Sequence, residues 1–267
     1  MFVYDISTRF ACSSLLYRSF ALDDALDGIA QAGFAYVDLW AVPGVLAHVN
    51  PSADDPVQIK ARLAERGLLG SSITVYGASD AQVGAAQQFA AAIGARTVIA
   101  TAPPVDYERR EASDDVRALG RDAQDAGVTL CLTNQQDTWI GGPEEIASFL
   151  DDVGHPRVQL SMSPAHAHVA GDSIDAIADA AGNRIGHAYL WSVAAEAASE
   201  DDFGPGEEQV PGQGAIDVGA LMRLLEARGY NGNFTFMWHG TQTWSLDQIG
   251  DRLVAARAHV LEASKAP

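Results

Sequence analysis

Three side chains that can carry protons follow short apolar runs of the sequence. His166 comes after LSMSPA, His239 comes directly after FTFMW, and Glu196 lies a few residues beyond the run AYLW. An imidazole with its ordinary pKa of about 6.5 can give or take a proton near neutral pH, and a carboxylate can act as a base. We predict these three as catalytic residues. The alternatives are a turn-capping role for His166 and simple solvation for His239 and Glu196.

A second set of residues at the predicted strand ends is suited to binding a ligand. Hydroxyl and amide groups can hydrogen-bond to ligand hydroxyls, and the indole of Trp238 can stack on a ligand ring. Tyr189 could donate a hydrogen bond to a developing enolate oxygen, or it could only fill space as a large aromatic side chain. The predicted binding residues are Arg9, Trp40, Tyr76, Thr101, Thr133, Asn134, Ser163, Tyr189 and Trp238.

Apolar runs of strand length alternate with amphipathic helical patterns along the chain. Gly33, Gly67 and Gly229 follow three of the helical patterns, where glycine commonly closes a helix in the left-handed conformation. The predicted strands are Phe2–Ile6, Tyr36–Trp40, Ser71–Tyr76, Thr97–Thr101, Val128–Leu132, Val158–Met162, Ile185–Trp191 and Phe234–Trp238. The predicted helices are Leu22–Ala32, Pro56–Arg66, Ala81–Ile93, Asp114–Ala126, Pro143–Leu150, Ile174–Ala181, Val218–Arg228 and Leu246–Leu261.

This alternation requires parallel strands, because each helix is the crossover that parallel pairing needs. A closed barrel and an open doubly wound sheet both satisfy it. The even number of units and the lack of GxGxxG after the first strand favour the barrel. We therefore predict an α/β protein with a single (β/α)8 TIM-barrel domain over residues 1–267 and a site at the carboxyl ends of the strands. The long segment 192–216 after the seventh strand is either a lid or a disordered excursion.

The charge of the chain restricts its partners. Its 17 Lys and Arg against 35 Asp and Glu give a net charge of −18, which argues against nucleic acid and anionic membranes. Cys12 and Cys131 form no CxxC motif, the start of the chain lacks the pattern of a signal peptide, and no apolar run reaches about 18 residues. These features predict a cytoplasmic protein with reduced thiols that binds a small molecule.

Several segments resemble one known family in the same order along the chain. ALDDALDGIAQAGFAYVDLW has a helix followed by a strand with an acidic-aromatic end, and PGQGAID matches the pattern Pro-Gly-x-Gly-x-Ile-Asp. ARLAERGLLGSSITVYG, RIGHAYLWSV and LLEARGYNGNFTFMWHG supply the other matches. The series resembles the xylose-isomerase-like superfamily of sugar isomerases and epimerases over nearly the whole chain. The resemblance implies the same barrel and an activity of the sugar isomerase or epimerase type.

The resemblance also implies a metal site that this chain does not keep. Family members commonly bind a divalent cation through a Glu, an Asp, a His and a Glu at the ends of strands five to eight. The aligned positions here hold Thr133, Ser163, Tyr189 and Met237, which are poor ligands for a hard dication. Pro164 and His166 keep the register around Ser163, so an alignment error does not explain all four losses. We therefore expect neither a metal nor another cofactor.

Two functions remain open. The first is an isomerase, epimerase or lyase that acts on a sugar, polyol or related carbonyl compound by metal-independent proton transfer. The second is a non-catalytic ligand-binding or partner protein derived from a metal-dependent sugar isomerase. Arg9 is the main cation predicted near the site, which favours a neutral, carbohydrate-like substrate over a sugar phosphate. Homo-oligomers are common in the resembled family, which allows one here.

Overall fold

The computed structural model describes residues 6–265 and contains a closed barrel of parallel strands. The first strand pairs in parallel with both the second and the last, which closes the sheet on itself. In chain order the barrel strands are β1 (Phe10–Ser13), β2 (Tyr36–Val42), β3 (Leu69–Thr74), β4 (Thr97–Thr101), β5 (Thr129–Thr133), β6 (Val158–Met162), β7 (Ile185–Leu190) and β8 (Phe234–Phe236). A two-residue strand, Leu46–Ala47, pairs antiparallel with β2 outside the barrel. The predicted (β/α)8 barrel is confirmed.

Helices cover the outside of the barrel and connect its strands. They are α1 (Leu22–Gln31), α2 (Pro56–Glu65), α3 (Asp80–Ile93), α4 (Arg109–Ala126), α5 (Pro143–Val153), α6 (Pro164–Ala170), α7 (Ile174–Ala181), α8 (Val218–Ala227) and α9 (Leu246–Ala263). The short helix α6 begins because Pro164 suits a first turn and the Ser163 hydroxyl accepts a hydrogen bond from the His166 N–H at 3.4 Å. Within residues 6–265, no helix is long and apolar enough to cross a membrane.

The first strand differs from its prediction. Of the predicted strand Phe2–Ile6, residues 2–5 lie outside the described residues, and Ile6 begins the 3-10 helix Ile6–Arg9. The first barrel strand is instead β1, whose sequence FACS includes a serine that hydrogen-bonds within the barrel. Arg9 therefore precedes a strand rather than following one.

The interior of the barrel is polar around Asp38. This carboxylate is fully buried and accepts hydrogen bonds of 2.8–2.9 Å from the hydroxyls of Ser13, Ser72 and Thr74. Burial raises the pKa of Asp38 to about 6, although the hydroxyl hydrogen bonds act in the opposite direction. The side chain therefore has the partners that a buried acid needs.

A buried histidine forms a second polar group inside the barrel. The ring nitrogens of His187 lie 2.8 Å from Ser161 Oγ and 2.8 Å from Thr235 Oγ1, so the ring links β6 to β8 through β7. Burial lowers the pKa of His187 to about 3, which keeps the ring neutral at neutral pH. His187 thus acts as a structural bridge.

Arg9 lies at the amino ends of the strands, opposite the predicted site. Its guanidinium donates to the carbonyl oxygens of Gly232 at 2.8 Å and Tyr230 at 3.0 Å, and it pairs with Glu226 at 3.1 Å. It also packs over the rings of Tyr230 and Phe234. The prediction that Arg9 binds a ligand at the carboxyl end is wrong, because it rested on the misplaced first strand.

Candidate functional site

Three hydroxyl groups meet at the carboxyl end of the barrel. Tyr76 Oη lies 3.0 Å from Thr133 Oγ1 and 2.9 Å from Tyr189 Oη. Thr133 ends β5, Tyr189 lies in β7, and Tyr76 follows β3, so this hydroxyl cluster joins three separated strands. Burial raises the pKa of Tyr189 well above its ordinary value, which keeps the phenol protonated and able to donate a hydrogen bond.

A series of aromatic rings continues from the hydroxyl cluster around the mouth of the barrel. Trp40 contacts Tyr76 edge-to-face at 5.5 Å between ring centroids, and His239 contacts Trp191 at 5.1 Å. Trp191 also packs against Phe203 at 4.5 Å. These separations are typical of favourable aromatic pairs. We call this series the aromatic arc; its members are Tyr76, Trp40, His239, Trp191, Phe203 and His166.

His166 is carried by a turn that two other predicted site residues hold in place. The Asn134 side chain accepts from the Ser163 N–H at 2.7 Å and donates to the Ser163 carbonyl oxygen at 3.0 Å. The Ser163 hydroxyl in turn caps α6 at the N–H of His166. Asn134 and Ser163 are buried, so in this arrangement they position His166.

The carboxylate that contacts His166 is Glu200. Its Oε1 lies 2.7 Å from His166 Nδ1 and accepts a hydrogen bond from the Gln136 N–H at 2.8 Å. Glu196, which we predicted as the carboxylate of the site, is exposed. The sequence places both in one acidic segment, and no pattern in it indicates which carboxylate turns inward. The structure therefore assigns the position near His166 to Glu200 and leaves Glu196 outside.

Residues 191–217 form a covering loop over the carboxyl end of the barrel. The buried side chain of Gln209 accepts hydrogen bonds from Trp191 Nε1 at 3.1 Å and the His239 N–H at 3.0 Å, and it donates to the Gly204 carbonyl at 2.7 Å. The Ser192 hydroxyl accepts from the Ile216 N–H at 3.1 Å, which ties the two ends of the loop together. The loop is therefore packed in place rather than a disordered excursion, and its role as a lid stays a prediction.

The tightness of the covering loop depends on glycine at particular positions. A Cβ added to Gly214 would collide with the carbonyl oxygens of Val193 and Glu208. A Cβ on Gly206 would come within 2.8 Å of the Gly240 carbonyl oxygen in the segment after β8. The loop therefore packs directly against its own backbone and against the backbone of the segment after β8.

His239 and Trp238 occupy different environments at the end of β8. Burial, with a smaller contribution from the positive charge of Arg18, lowers the pKa of His239 to about 4. His239 is therefore neutral at neutral pH and has no imidazolium proton to donate. Trp238, by contrast, is fully buried.

The structure brings most of the predicted site residues to one end of the barrel. Thr101 is half-buried near Tyr76, where its hydroxyl accepts from the Gly77 N–H at 3.3 Å. The predicted residues at this end are Trp40, Tyr76, Thr101, Thr133, Asn134, Ser163, His166, Tyr189, Trp238 and His239. The residues that the sequence analysis missed are Glu200, Gln209, Trp191 and Phe203, of which three lie in the irregular part of the loop.

The residues at the four aligned metal-ligand positions do not fit a divalent cation. The oxygens of Thr133 and Tyr189 are hydrogen-bonded to Tyr76, and the Ser163 hydroxyl caps α6. Met237 offers only a buried thioether, a soft donor. Within residues 6–265, no group of three or more His, Cys, Asp or Glu is arranged to hold a metal ion. The side chains at these four strand ends therefore do not form a ligand set for a divalent cation.

Curated proteins similar to this chain share one name. An inosose dehydratase from Yersinia enterocolitica is 29% identical over 139 residues, which cover 48% of this chain and 46% of that protein. An inosose dehydratase from Serratia proteamaculans is 30% identical over 139 residues, with the same shares of the two chains. The matched part of the chain thus spans about half the length of these relatives.

Solved structures match over almost the full chain. A D-allulose 3-epimerase from Methylomonas sp. has 18% identity and a TM-score of 0.70, covering 92% of this chain and 94% of its own. A xylose isomerase domain protein from Alicyclobacillus acidocaldarius has 18% identity and a TM-score of 0.75, covering 96% and 99%. At these identities the structures support the fold alone. A family model described as a xylose isomerase-like TIM barrel matches residues 26–259, and the chain therefore belongs to that family.

Proposed function

We propose that this protein is an enzyme of the isomerase, epimerase or lyase kind that moves a proton next to a carbonyl group of a sugar, polyol or related compound. The observation that carries the proposal is the placement of His166. Its imidazole lies at the carboxyl end of β6, beside the carboxylate of Glu200 and against the rings of Trp191 and Phe203. Catalytic groups of a β/α barrel are expected at the carboxyl ends of its strands, and His166 is a titratable group at that end.

The related proteins support the substrate class. The curated relatives are named inosose dehydratase, and one structural neighbour is a D-allulose 3-epimerase in complex with D-allulose. Each of these names describes a reaction on a polyhydroxylated carbonyl compound. The hydroxyl cluster and aromatic arc suit such a compound, because hydroxyls pair with its oxygens and ring faces cover its C–H surfaces. Apart from the His166–Glu200 pair these groups are uncharged, which favours a neutral substrate.

The proposed chemistry begins when His166 takes a proton from a carbon next to the substrate carbonyl. The electron pair of the broken C–H bond moves toward the carbonyl and forms an enolate, whose oxygen a phenol of the hydroxyl cluster stabilises by a hydrogen bond. Delivery of a proton to the opposite face of the same carbon gives an epimer. Delivery of the proton from His166 to the former carbonyl carbon gives an isomer, provided that the hydroxyl on the neighbouring carbon passes its proton to the enolate oxygen and becomes the new carbonyl. Departure of a hydroxyl group from the next carbon, protonated by His166 so that it leaves as water, gives a dehydrated product.

No step of this proposal uses a metal ion, because the side chains at the four aligned positions do not form a ligand set. The phenols of Tyr76 and Tyr189 instead provide neutral hydrogen-bond donors at this end of the barrel. His239 and Trp40 contribute rings to the aromatic arc, and the Thr101 hydroxyl holds the Gly77 N–H next to Tyr76. We therefore assign proton transfer to His166 and ligand binding to the hydroxyl cluster and the arc.

A non-catalytic binding protein is the second candidate function. It is favoured by the closed state of the mouth, in which the side chain of His166 is only 12% exposed and the hydroxyls of the cluster bond to one another. A binding protein would hold a ligand without exchanging its protons. Exchange of substrate protons with solvent therefore separates the two candidates.

The test is to incubate the purified chain with an inosose and with D-allulose in deuterated water, and to follow deuterium incorporation and new products by NMR and mass spectrometry. We expect exchange at the carbon next to the carbonyl, equal with and without chelator, and an about 100-fold or greater loss in His166→Asn. His168→Asn is the matched control, since His168 lies in α6 but faces a groove with Asp172 and Asp175. Binding without exchange would support the second candidate, and exchange that a chelator abolishes would contradict metal independence.

A further inference from the structure

We propose that Glu200 is a positioning residue for His166 and that the covering loop brings it into place only when the loop lies over the barrel. The proposal rests on the proton-transfer role proposed for His166. Glu200 is 34 residues from His166 and 64 residues from Gln136 in the chain, yet one of its oxygens contacts both. A carboxylate from the loop between β7 and α8 thus joins the segments that follow β5 and β6.

The contact determines which nitrogen of His166 carries the proton. An ionised carboxylate only accepts hydrogen bonds, so the His166 Nδ1 that lies 2.7 Å from Glu200 Oε1 must be the protonated nitrogen. A neutral imidazole has one N–H, which leaves Nε2 with a lone pair. Glu200 therefore makes Nε2 the nitrogen that can take a proton from a ligand.

Glu200 is itself held in its ionised form. Burial alone would raise its pKa, but hydrogen bonds from His166, from the Gln136 N–H and from Gln135 outweigh burial and bring the pKa below its ordinary value. The carboxylate consequently remains an acceptor throughout the neutral range. Its interaction with Nδ1 is a charge-assisted hydrogen bond, which is stronger than a neutral one.

A second residue of the covering loop fixes the ring of His166 from another side. The Phe203 ring packs edge-to-face on His166 at 5.4 Å, and Trp191 does the same at 5.5 Å. Phe203 follows Glu200 by only three residues. When the loop is closed, it therefore supplies both the hydrogen-bond acceptor for Nδ1 and one wall against the ring.

The same closure blocks access to His166. The side chains of His166 and Glu200 are only 12% and 16% exposed, so a ligand reaches the imidazole when the loop has moved away. Movement of the loop separates Glu200 from His166 Nδ1, so the ring proton is no longer held on that nitrogen. Closure over a bound ligand restores the Glu200–His166 hydrogen bond and excludes water from the reacting atoms. Substrate binding and the protonation pattern of the base are in this way coupled.

The first test is the tautomer of His166 in the full chain labelled with ¹⁵N-histidine. At a pH of about 8, where an ordinary imidazole is neutral, long-range ¹H–¹⁵N NMR spectra distinguish Nδ1–H from Nε2–H. His166→Asn assigns the signal. We expect Nδ1–H in the wild type and loss of this preference in Glu200→Ala. Asp201→Asn removes the adjacent exposed carboxylate and should leave the tautomer unchanged. An Nε2–H tautomer in the wild type, or one unaffected by Glu200→Ala, overturns the proposal.

The second test separates failure of this proposal from failure of the proposed function. With a compound that the wild type processes, Glu200→Ala should lower kcat at least about tenfold while KM changes little, because the residue acts through His166. An active wild type with full kcat in Glu200→Ala contradicts the positioning role alone. An inactive wild type contradicts the proposed function, and the tautomer measurement then still decides whether Glu200 positions His166.

Discussion

The phenol oxygens of Tyr76 and Tyr189 lie 2.9 Å apart, although the two tyrosines are 113 residues apart in the chain. Thr133 reaches the same Tyr76 oxygen at 3.0 Å. Thr133 and Tyr189 occupy two of the positions where the family resemblance places metal ligands. The strand ends that a shared ion could link are here linked through one tyrosine hydroxyl.

The first prediction concerns this shared hydroxyl. Tyr76→Phe leaves the buried oxygens of both Thr133 and Tyr189 without this partner, and we expect it to lower the free energy of unfolding by about 1–3 kcal/mol. Tyr189→Phe leaves the Tyr76–Thr133 bond intact and should cost less. Urea unfolding of both single variants and the double variant measures the coupling. Additive effects of the two substitutions would show that the hydrogen bond between the tyrosines contributes nothing, since residues in contact normally couple.

The second prediction concerns the pH dependence that Asp38 gives to stability. Its pKa rises from 3.8 to about 6 on folding, so the folded chain holds this proton more tightly than the unfolded chain. The contribution of Asp38 to stability is therefore largest at low pH and falls by about 3 kcal/mol as pH rises from about 4 to about 6. Asp38→Asn lacks this titration. In urea unfolding from pH 4 to 7, the free energy of unfolding of the variant should rise relative to that of the wild type as pH rises. Parallel plots of this free energy against pH would contradict the raised pKa of Asp38.

The third prediction concerns Arg9 at the amino end of the barrel. Arg9→Met removes hydrogen bonds to two carbonyl oxygens and the ion pair with Glu226, and we expect it to lower the free energy of unfolding by about 2–4 kcal/mol. Below its melting temperature the variant should bind and exchange ligands as the wild type does. Arg96→Met, which removes an exposed cation at the same end, should change stability by no more than about 0.5 kcal/mol. Weakened ligand binding in folded Arg9→Met would contradict its placement.

The fourth prediction concerns the packing of the covering loop. Gly214→Ala forces a methyl group against the carbonyl oxygens of Val193 and Glu208, so the loop must move. Hydrogen exchange followed by mass spectrometry should show faster exchange in peptides from residues 192–216, with the barrel strands little changed. Gly84→Ala is the control, because a Cβ there meets no atom within 4 Å, and we expect it to stabilise α3 by about 1 kcal/mol. Unchanged loop exchange in Gly214→Ala would contradict the close packing.

The agreement between sequence and structure varies along the chain for physical reasons. The bounds of β4 and β6 agree with their predictions, because the runs TVIAT and VQLSM are flanked by clear helical patterns. The bounds of β1 differ from the prediction, because FACS is only four residues long and Ser13 donates a hydrogen bond to Asp38 instead of packing in an apolar core. Where the barrel interior is polar, strand residues are no more hydrophobic than loop residues, and a strand cannot be recognised from its hydrophobic pattern.

The residues of the candidate site at the strand ends could be predicted from the sequence, and those in the covering loop could not. Tyr76, Thr133 and Tyr189 could be placed near one another because the carboxyl ends of parallel strands converge in a barrel. Glu200 could not, because its position depends on contacts with residues 34 and 64 positions away and on the packing of Phe203. Choosing Glu196 as the base followed from distance along the chain, which is a poor guide to side-chain direction within a long loop.

Arg9 has a further consequence for how the chain reaches its fold. It stands immediately before β1 and binds the backbone immediately before β8, across sequence separations of 221 and 223 residues. Contacts of such separation form slowly, and a nascent chain cannot make them until β8 has left the ribosome. During synthesis the free edge of β1 is therefore open to pairing with strands of other chains. The hydrogen bonds of the Arg9 guanidinium can form only after the last strand is in place, so they stabilise the barrel at the junction where it closes.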